Sequence, residues 1–258
     1  MRGLQRNWDP DYLEDGWPRG LDNFFLVDRI NSVAMQATMD GAPAAVLEVG
    51  AAEGQHSCRL AARGVPVTAL EPSPEMLARA AQRQHEGNLR FPLVCGIAEA
   101  LPFPDATFDR VLCESVIDHL AHPPRALAEM RRVLKPDGRL LVGFVNYGGP
   151  TVRASRLVYG VARALGRPWS RRHLFWDSPV PAEHSFECTY PELARLCAPH
   201  FTAERTIGIA TGWAFPGWGW TLNRFPRPVA VRMLAAIDRT ARQVPRLGDY
   251  LLTVWRPR

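Results

Sequence analysis

The chain has 258 residues, 47% hydrophobic and 22% charged, an ordinary globular composition for one domain with insertions. No apolar run approaches the ~18 residues of a membrane span, Met1 to Asn7 hold no apolar signal core, and the five cysteines have neither metal nor redox spacing, so a cytoplasmic location with reduced thiols and no metal is expected. The net charge of +5 is uneven: residues after 146 hold 16 of the 31 basic and 7 of the 26 acidic side chains, about +9, against about −4 for the rest.

In chain order, a cap over residues 1–40 comes first, with Trp8, Tyr12, Trp17, Phe24 and Phe25 ahead of a helix near Phe24–Met39. Then Val46, Leu47 and Val49 form a short apolar strand. It ends in the small-residue turn Gly50-Ala51-Ala52-Glu53-Gly54, and a helical pattern begins around Gln55. A strand, tight loop and helix of this kind build nucleotide-type pockets in α/β sheets. A dinucleotide loop needs glycines spaced G-x-G-x-x-G, and Gln55 stands where the third belongs. Glu48 and Glu53 flank the turn. Two carboxylates repel a pyrophosphate but suit a ligand carrying an ammonium and a sulfonium, such as S-adenosylmethionine.

Val65–Leu70 reads as a second strand, with Glu71 at its carboxyl end, where an acid can accept ribose hydroxyls. Pro72-Ser73-Pro74-Glu75 opens a helix with Met76, Leu77, Ala80 and Ala81 as its apolar stripe. Further strands are predicted at Leu93–Gly96, Phe108–Leu112 and Arg139–Val145. The last follows a helix bearing Leu127, Met130, Val133 and Leu134 and a turn at Lys135-Pro136-Asp137-Gly138.

This series resembles the class I S-adenosylmethionine-dependent methyltransferases, in particular the small-molecule branch that includes the ubiquinone-biosynthesis enzymes. The matching residues are Leu47 to Gly54, Leu70 to Leu77, Ala98 to Asp105, Phe108-Asp109, Cys113 to Leu120 and Arg132 to Gly138. The resemblance implies a Rossmann-like, seven-stranded, mostly parallel sheet with an antiparallel last strand and helices on both faces. It implies S-adenosylmethionine as cofactor, with S-adenosylhomocysteine as product. Glu48, Gly50, Ala51, Ala52 and Gly54 would hold its methionine end, Glu71 and Pro72 its ribose, and Met76, Ile97 and Ala98 its adenine. Cys113 and Glu114 would open a loop facing its methyl group. Ala52 replaces the family's middle glycine, and Ile97 replaces an aspartate that takes the adenine amino group.

A cofactor-binding core over 44–146 leaves insertions at 147–189 and 210–248, long enough to act as substrate lids. Pro191–Ala198 is predicted as a helix, Phe201–Ile209 and Asp249–Trp255 as a terminal hairpin, and helical patterns run from Val152 to Leu165 and from Val229 to Val244. Trp213, Phe215, Trp218, Trp220 and Phe225 pack the added helix or, as a set, form an acceptor pocket for a small apolar or aromatic molecule, methylated on O, C or N. The arginines read as a solvated face or as the site of an anionic partner, a charged group on the substrate included. His119 is a candidate base, and His184 a second one. The bland readings, an orienting His119 and a surface His184, carry more weight, and His56 reads as structural. An RNA or tRNA methyltransferase using the arginine-rich half, or a non-catalytic protein of this fold, are the alternatives; the basic residues are interspersed with an apolar cap, which weighs against nucleic acid. No transmembrane segment is expected, and the sequence does not specify an oligomeric state.

Overall fold

A computed structural model describes residues 21–166, 186–213 and 215–258. Seven strands form one sheet: β1 (Val46–Val49), β2 (Val67–Glu71), β3 (Leu93–Cys95), β4 (Phe108–Glu114), β5 (Leu134–Val145), β6 (Phe201–Ile209) and β7 (Tyr250–Pro257). Their order is β3-β2-β1-β4-β5-β7-β6. β1 to β5 are mutually parallel, while β7 runs antiparallel to both β5 and β6. β1 is buried at all four positions, as a parallel strand covered on both faces must be. The expected fold class is the observed one.

The helices are α1 (Leu21–Met39), α2 (Gln55–Ala61), α3 (Pro74–Glu86), α4 (Pro123–Val133), α5 (Pro150–Ala164), α6 (Tyr190–Cys197), α7 (Trp218–Leu222) and α8 (Arg227–Gln243). Each long pattern in the sequence lands within three residues of its helix. Two details depart from expectation. Residues 135–138 are not a turn between helix and strand. Leu134 already pairs with Phe108, the ladder resumes at Arg110 and Arg139, and the residues between bulge out of β5. A Cβ on Gly138 would lie 2.9 Å from the Leu134 side chain and 3.1 Å from the Asp109 carbonyl, so a larger residue would crowd the bulge.

The second departure concerns the tryptophans. Leu222, Ala230 and Leu234 of α7 and α8, with Trp218, pack on Leu21 and Phe25 of α1. Trp220 is 62% exposed. The aromatic stretch is therefore divided: Trp218 packs the added helices, Phe215, Trp220 and Phe225 are exposed, and of its tryptophans only Trp213 reaches the cavity described below. Trp8, Tyr12 and Trp17 lie outside the described residues.

α1 packs along the sheet and joins two cores. Leu26 packs with Tyr147, Ile209, Trp213 and Tyr250 at the β7 side. Met35 packs with Val46, Leu60 and Val67 at the β1 side. Among the described residues, no helix is long and apolar enough to cross a membrane.

Candidate active site

Below α1, a cavity of about 210 Å³ opens between the end of β1, the end of β4 and the start of β7. Its floor is the loop after β1. Gly50, Ala52 and Gly54 all adopt left-handed backbone, with φ of 70°, 45° and 70°. The Gly50 and Ala51 amides both donate to the Leu70 carbonyl, at 2.8 and 3.0 Å, turning the chain back over β2. A Cβ on Gly50 would overlap the Val116 side chain, so the close approach of the two loops requires glycine. Ala52 carries the same backbone conformation without glycine's freedom.

Glu71 closes this loop from β2. Its Oε2 accepts the Ala52 amide at 2.9 Å, and its Oε1 accepts the Ser73 amide at 3.0 Å. Each oxygen keeps a lone pair for a hydroxyl. Glu48 is fixed from α2: its Oε2 accepts the Ser57 amide at 2.8 Å and the Ser57 hydroxyl, and its Oε1 lies 3.3 Å from His56 Nδ1. Burial works against a charged His56, but the hydrogen bond and charge of Glu48, with Glu114 beyond, outweigh it and raise its pKa. His56 Nε2 is buried without a partner. Glu53 is held by Arg79 at 3.0 Å and by Arg83. Its charge is thus compensated, so the expected repulsion of a pyrophosphate by Glu53 is weaker than its position in the sequence implies.

At the β4 end, Ser115 has φ of 54° and sits between two partners. Its hydroxyl donates to Glu114 Oε1 at 2.9 Å and lies 3.0 Å from the Tyr250 hydroxyl, which itself donates to the same carboxylate. Burial first, then the charge of Glu114, pushes the Tyr250 phenol well above its ordinary range. Tyr250 is therefore a neutral donor. A Cβ on Gly143 would collide with its hydroxyl. Strained backbone and buried hydroxyls gathered at one cavity fit a functional site.

Of the predicted cofactor residues, Glu48, Gly50, Ala51, Ala52 and Glu114 line the cavity. Gly54 stands behind them as the N-cap of α2. Glu71, Pro72, Met76 and Ile97 lie outside it, toward the ends of β2 and β3, with Pro72 exposed and Ile97 51% exposed. Ala98 and Cys113 point into the core among Leu70, Leu101 and Ile117. Burial drives the Cys113 thiol far above its usual range, so that side chain is sealed from any ligand. His119 is exposed and outside the cavity wall. His184 lies outside the described residues. Motif reading missed Asn23, Leu26 and Asn31 of α1, and Asp249 and Tyr250 at the start of β7. The only signal for Asn23 was the helical pattern of the N-terminal cap. Among the described residues, no group of His, Cys, Asp or Glu is placed to hold a metal.

Residues 47–142 match the family described as a methyltransferase domain. Over 187 residues the chain is 33% identical to an uncharacterized methyltransferase of Mycolicibacterium gilvum, covering 70% of this chain and 69% of that protein. The chain belongs to the class I S-adenosylmethionine-dependent methyltransferases. Within that family it is 42% identical over 100 residues to the ubiquinone/menaquinone biosynthesis C-methyltransferase UbiE of Bordetella avium, covering 38% of this chain and 39% of that one. The chain spans less than half the length of several such curated relatives. A 1,6-didemethyltoxoflavin-N1-methyltransferase of Burkholderia thailandensis, solved with S-adenosylhomocysteine, shares the fold at a TM-score of 0.52 and 20% identity, over 88% of this chain and 78% of that one. The family match covers residues 47–142, and the match to the Mycolicibacterium gilvum protein extends over 187 residues.

Proposed function

We propose that this protein transfers the methyl group of S-adenosylmethionine to a small, partly apolar acceptor and releases S-adenosylhomocysteine. The observation that carries this reading is one cavity with two unlike ends: a left-handed small-residue loop tied to Glu71 at β1, and an aromatic, polar recess at β7. The cavity wall holds four carboxylates, Glu48, Glu53, Glu114 and Asp249, and no Lys or Arg, with Glu53 compensated from behind the wall by Arg79 and Arg83. That balance favours a ligand with a sulfonium and an ammonium, and so the residues fit this cofactor. The Gly50–Gly54 loop would take its methionine end, Glu71 its ribose, and Met76 with Ile97 and Ala98 the adenine side. When bound, it supplies an already activated methyl group. The chain's own task is then to position the acceptor and exclude water, and Leu26, Val27, Ile30 and Trp213 under α1 serve that task. For an acceptor that loses a proton, Glu114 and Asp249 are the carboxylates in the wall able to receive it; His119 stands away from it. The same wall speaks for a neutral or cationic acceptor over the anionic one that the net charge allowed.

Two alternatives lose support. Several arginines of the second half are paired with acids, Arg156 with Glu187, Arg195 with Glu192, Arg242 with Asp238 and Arg256 with Glu204. RNA binding would need them free. Ala52 keeps the loop's left-handed backbone shape, which weakens one of the two reasons, Ala52 and Ile97, to read a non-catalytic fold. Relatives whose names specify carbon, oxygen and nitrogen methylation all match this chain, so similarity extends to the cofactor and not to the acceptor atom.

The test is calorimetric titration with S-adenosylmethionine and S-adenosylhomocysteine. Micromolar binding of both, weakened at least about tenfold by Glu71→Ala through loss of the charged hydrogen bonds, is expected. Absence of binding at millimolar ligand refutes the enzyme reading.

A further inference from the structure

The cavity end at β7 contains polar groups that the fold itself does not use. α1 crosses the sheet, with Leu26 in the β7-side core and Met35 in the β1-side core. Positions 23, 26, 27, 30 and 31, one helical face, line the cavity. Asn23 sits one turn before Leu26 and next to Asp22, which lies against Gly219 of α7 and feels the charge of Asp249 at the start of β7. It is 1% exposed, and neither its Oδ1 nor its Nδ2 has a hydrogen-bond partner. Asp249, also 1% exposed, lines the same cavity. Its Oδ2 accepts the amides of Thr211, Gly212 and Trp213 at 2.8, 2.9 and 3.2 Å. Its Oδ1 has no partner in hydrogen-bonding geometry, although the Thr151 hydroxyl lies near the carboxyl.

A buried amide left unpaired at both atoms is costly, and a folded chain keeps such a group only when something pairs with it. A carboxamide presents one donor and one acceptor side by side, and its complement presents an acceptor and a donor at the same spacing. We infer that Asn23, with Asp249, recognises the polar end of the methyl acceptor, and that this end carries a hydrogen-bond donor beside an acceptor, as in a carboxamide, a lactam or a hydroxy-carbonyl group. The apolar residues of the cavity, Leu26, Val27, Ile30, Val145 and Trp213, hold the rest of the molecule. An anionic end is disfavoured by the Glu114 and Asp249 carboxylates in the wall. This assignment rests on the methyltransferase reading above, and Asn23 is a specificity residue in it.

The experiment uses protein saturated with S-adenosylhomocysteine and three probes of one shape: benzamide, with donor and acceptor; methyl benzoate, with acceptor only; and cumene, with neither. Ligand-observed NMR ranks their affinities. Benzamide is expected to bind at least about tenfold tighter than the other two, because a site built to hydrogen-bond a group rejects analogues that lack it. In Asn23→Leu the order should invert, cumene binding best. Without ligand, Asn23→Leu should melt at a higher temperature than the natural protein, since it removes two unpaired buried atoms. Equal binding of the three probes, no detectable benzamide binding, an unchanged order in the variant or a lower melting temperature would each overturn the assignment. Should Asn23→Leu not fold, the probe series on the natural protein decides alone. Titration with S-adenosylhomocysteine on the same samples separates the two readings. If it binds while the probes are not discriminated, only the role of Asn23 falls; if it does not bind, the methyltransferase reading falls.

Discussion

Ala52 is the residue at which sequence and conformation disagree most openly. Its φ of 45° places an L side chain in left-handed backbone, at a cost of about 1–2 kcal/mol, where a glycine would sit freely. Replacing it with glycine returns about 0.4–1 kcal/mol to the unfolded chain's entropy. Ala52→Gly is therefore expected to stabilise the protein by about 0.5–1 kcal/mol in urea denaturation, and to bind S-adenosylhomocysteine at least as tightly. A loss of stability would show that the Ala52 methyl packs favourably. Asp249 yields a pH-dependent prediction. Burial raises its carboxyl pKa in the folded protein, so whatever it contributes is greatest when protonated and is lost as pH rises through that raised value. Asn at 249 can still offer an oxygen to the three amides but carries no charge. Asp249→Asn should thus be the more stable form at pH 8, with the gap closing as pH falls, in melting curves taken across that range. A gap that widens toward acid would contradict the burial argument. Glu71 and Ala52 were legible in sequence because a spacing marks them. Asn23 and Tyr250 were not, because their roles come from strands and helices more than 200 residues apart meeting over one cavity.

At the level of elements, hydrophobic period and end signals located most of the fold. α3 is an example. Ser73 precedes Pro74, and its hydroxyl accepts the Met76 amide at 3.3 Å as an N-cap. Arg79 and Arg83, one turn apart, both reach Glu53 of the loop after β1. Ser73→Ala should cost about 1 kcal/mol of stability in chemical denaturation. Because the helix start also carries the Glu71–Ser73 contact, affinity for S-adenosylhomocysteine should fall with it. An unchanged affinity would mean that the loop is set without α3. Two elements escaped the pattern. The 135–138 bulge has the composition of a turn, and only pairing with β4 reveals that the strand begins before it. α7 is five residues long and holds two tryptophans, too short for a helical period to register.

For the whole molecule, the unequal charge of the two halves proved a poor guide to the site, since the cavity wall holds carboxylates and no Lys or Arg. The better guide is the span of α1. One helix of 19 residues touches, through Met35, the core at the starts of β1 and β2 under α2, whose Ser57 holds Glu48, and, through Leu26, the core beneath the proposed acceptor recess. The two ends should therefore be separable. Leu26→Ala removes a side chain that is 2% exposed and should cost about 2–4 kcal/mol, loosening the recess at β7. The acceptor KM should rise severalfold, while affinity for S-adenosylhomocysteine changes little. Met35→Ala, 6% exposed, should cost about 2–3 kcal/mol and act in the opposite sense, weakening S-adenosylhomocysteine more than the acceptor. Isothermal titration for the product and steady-state kinetics for the acceptor, run on both variants, give the comparison. If each variant weakens both ligands equally, α1 moves as one plate, and the two ends of the cavity are not independent. If the effects divide as argued, the helix couples two separately evolvable sites: a cofactor end written in the shared motifs, and an acceptor end written in residues that no motif marks.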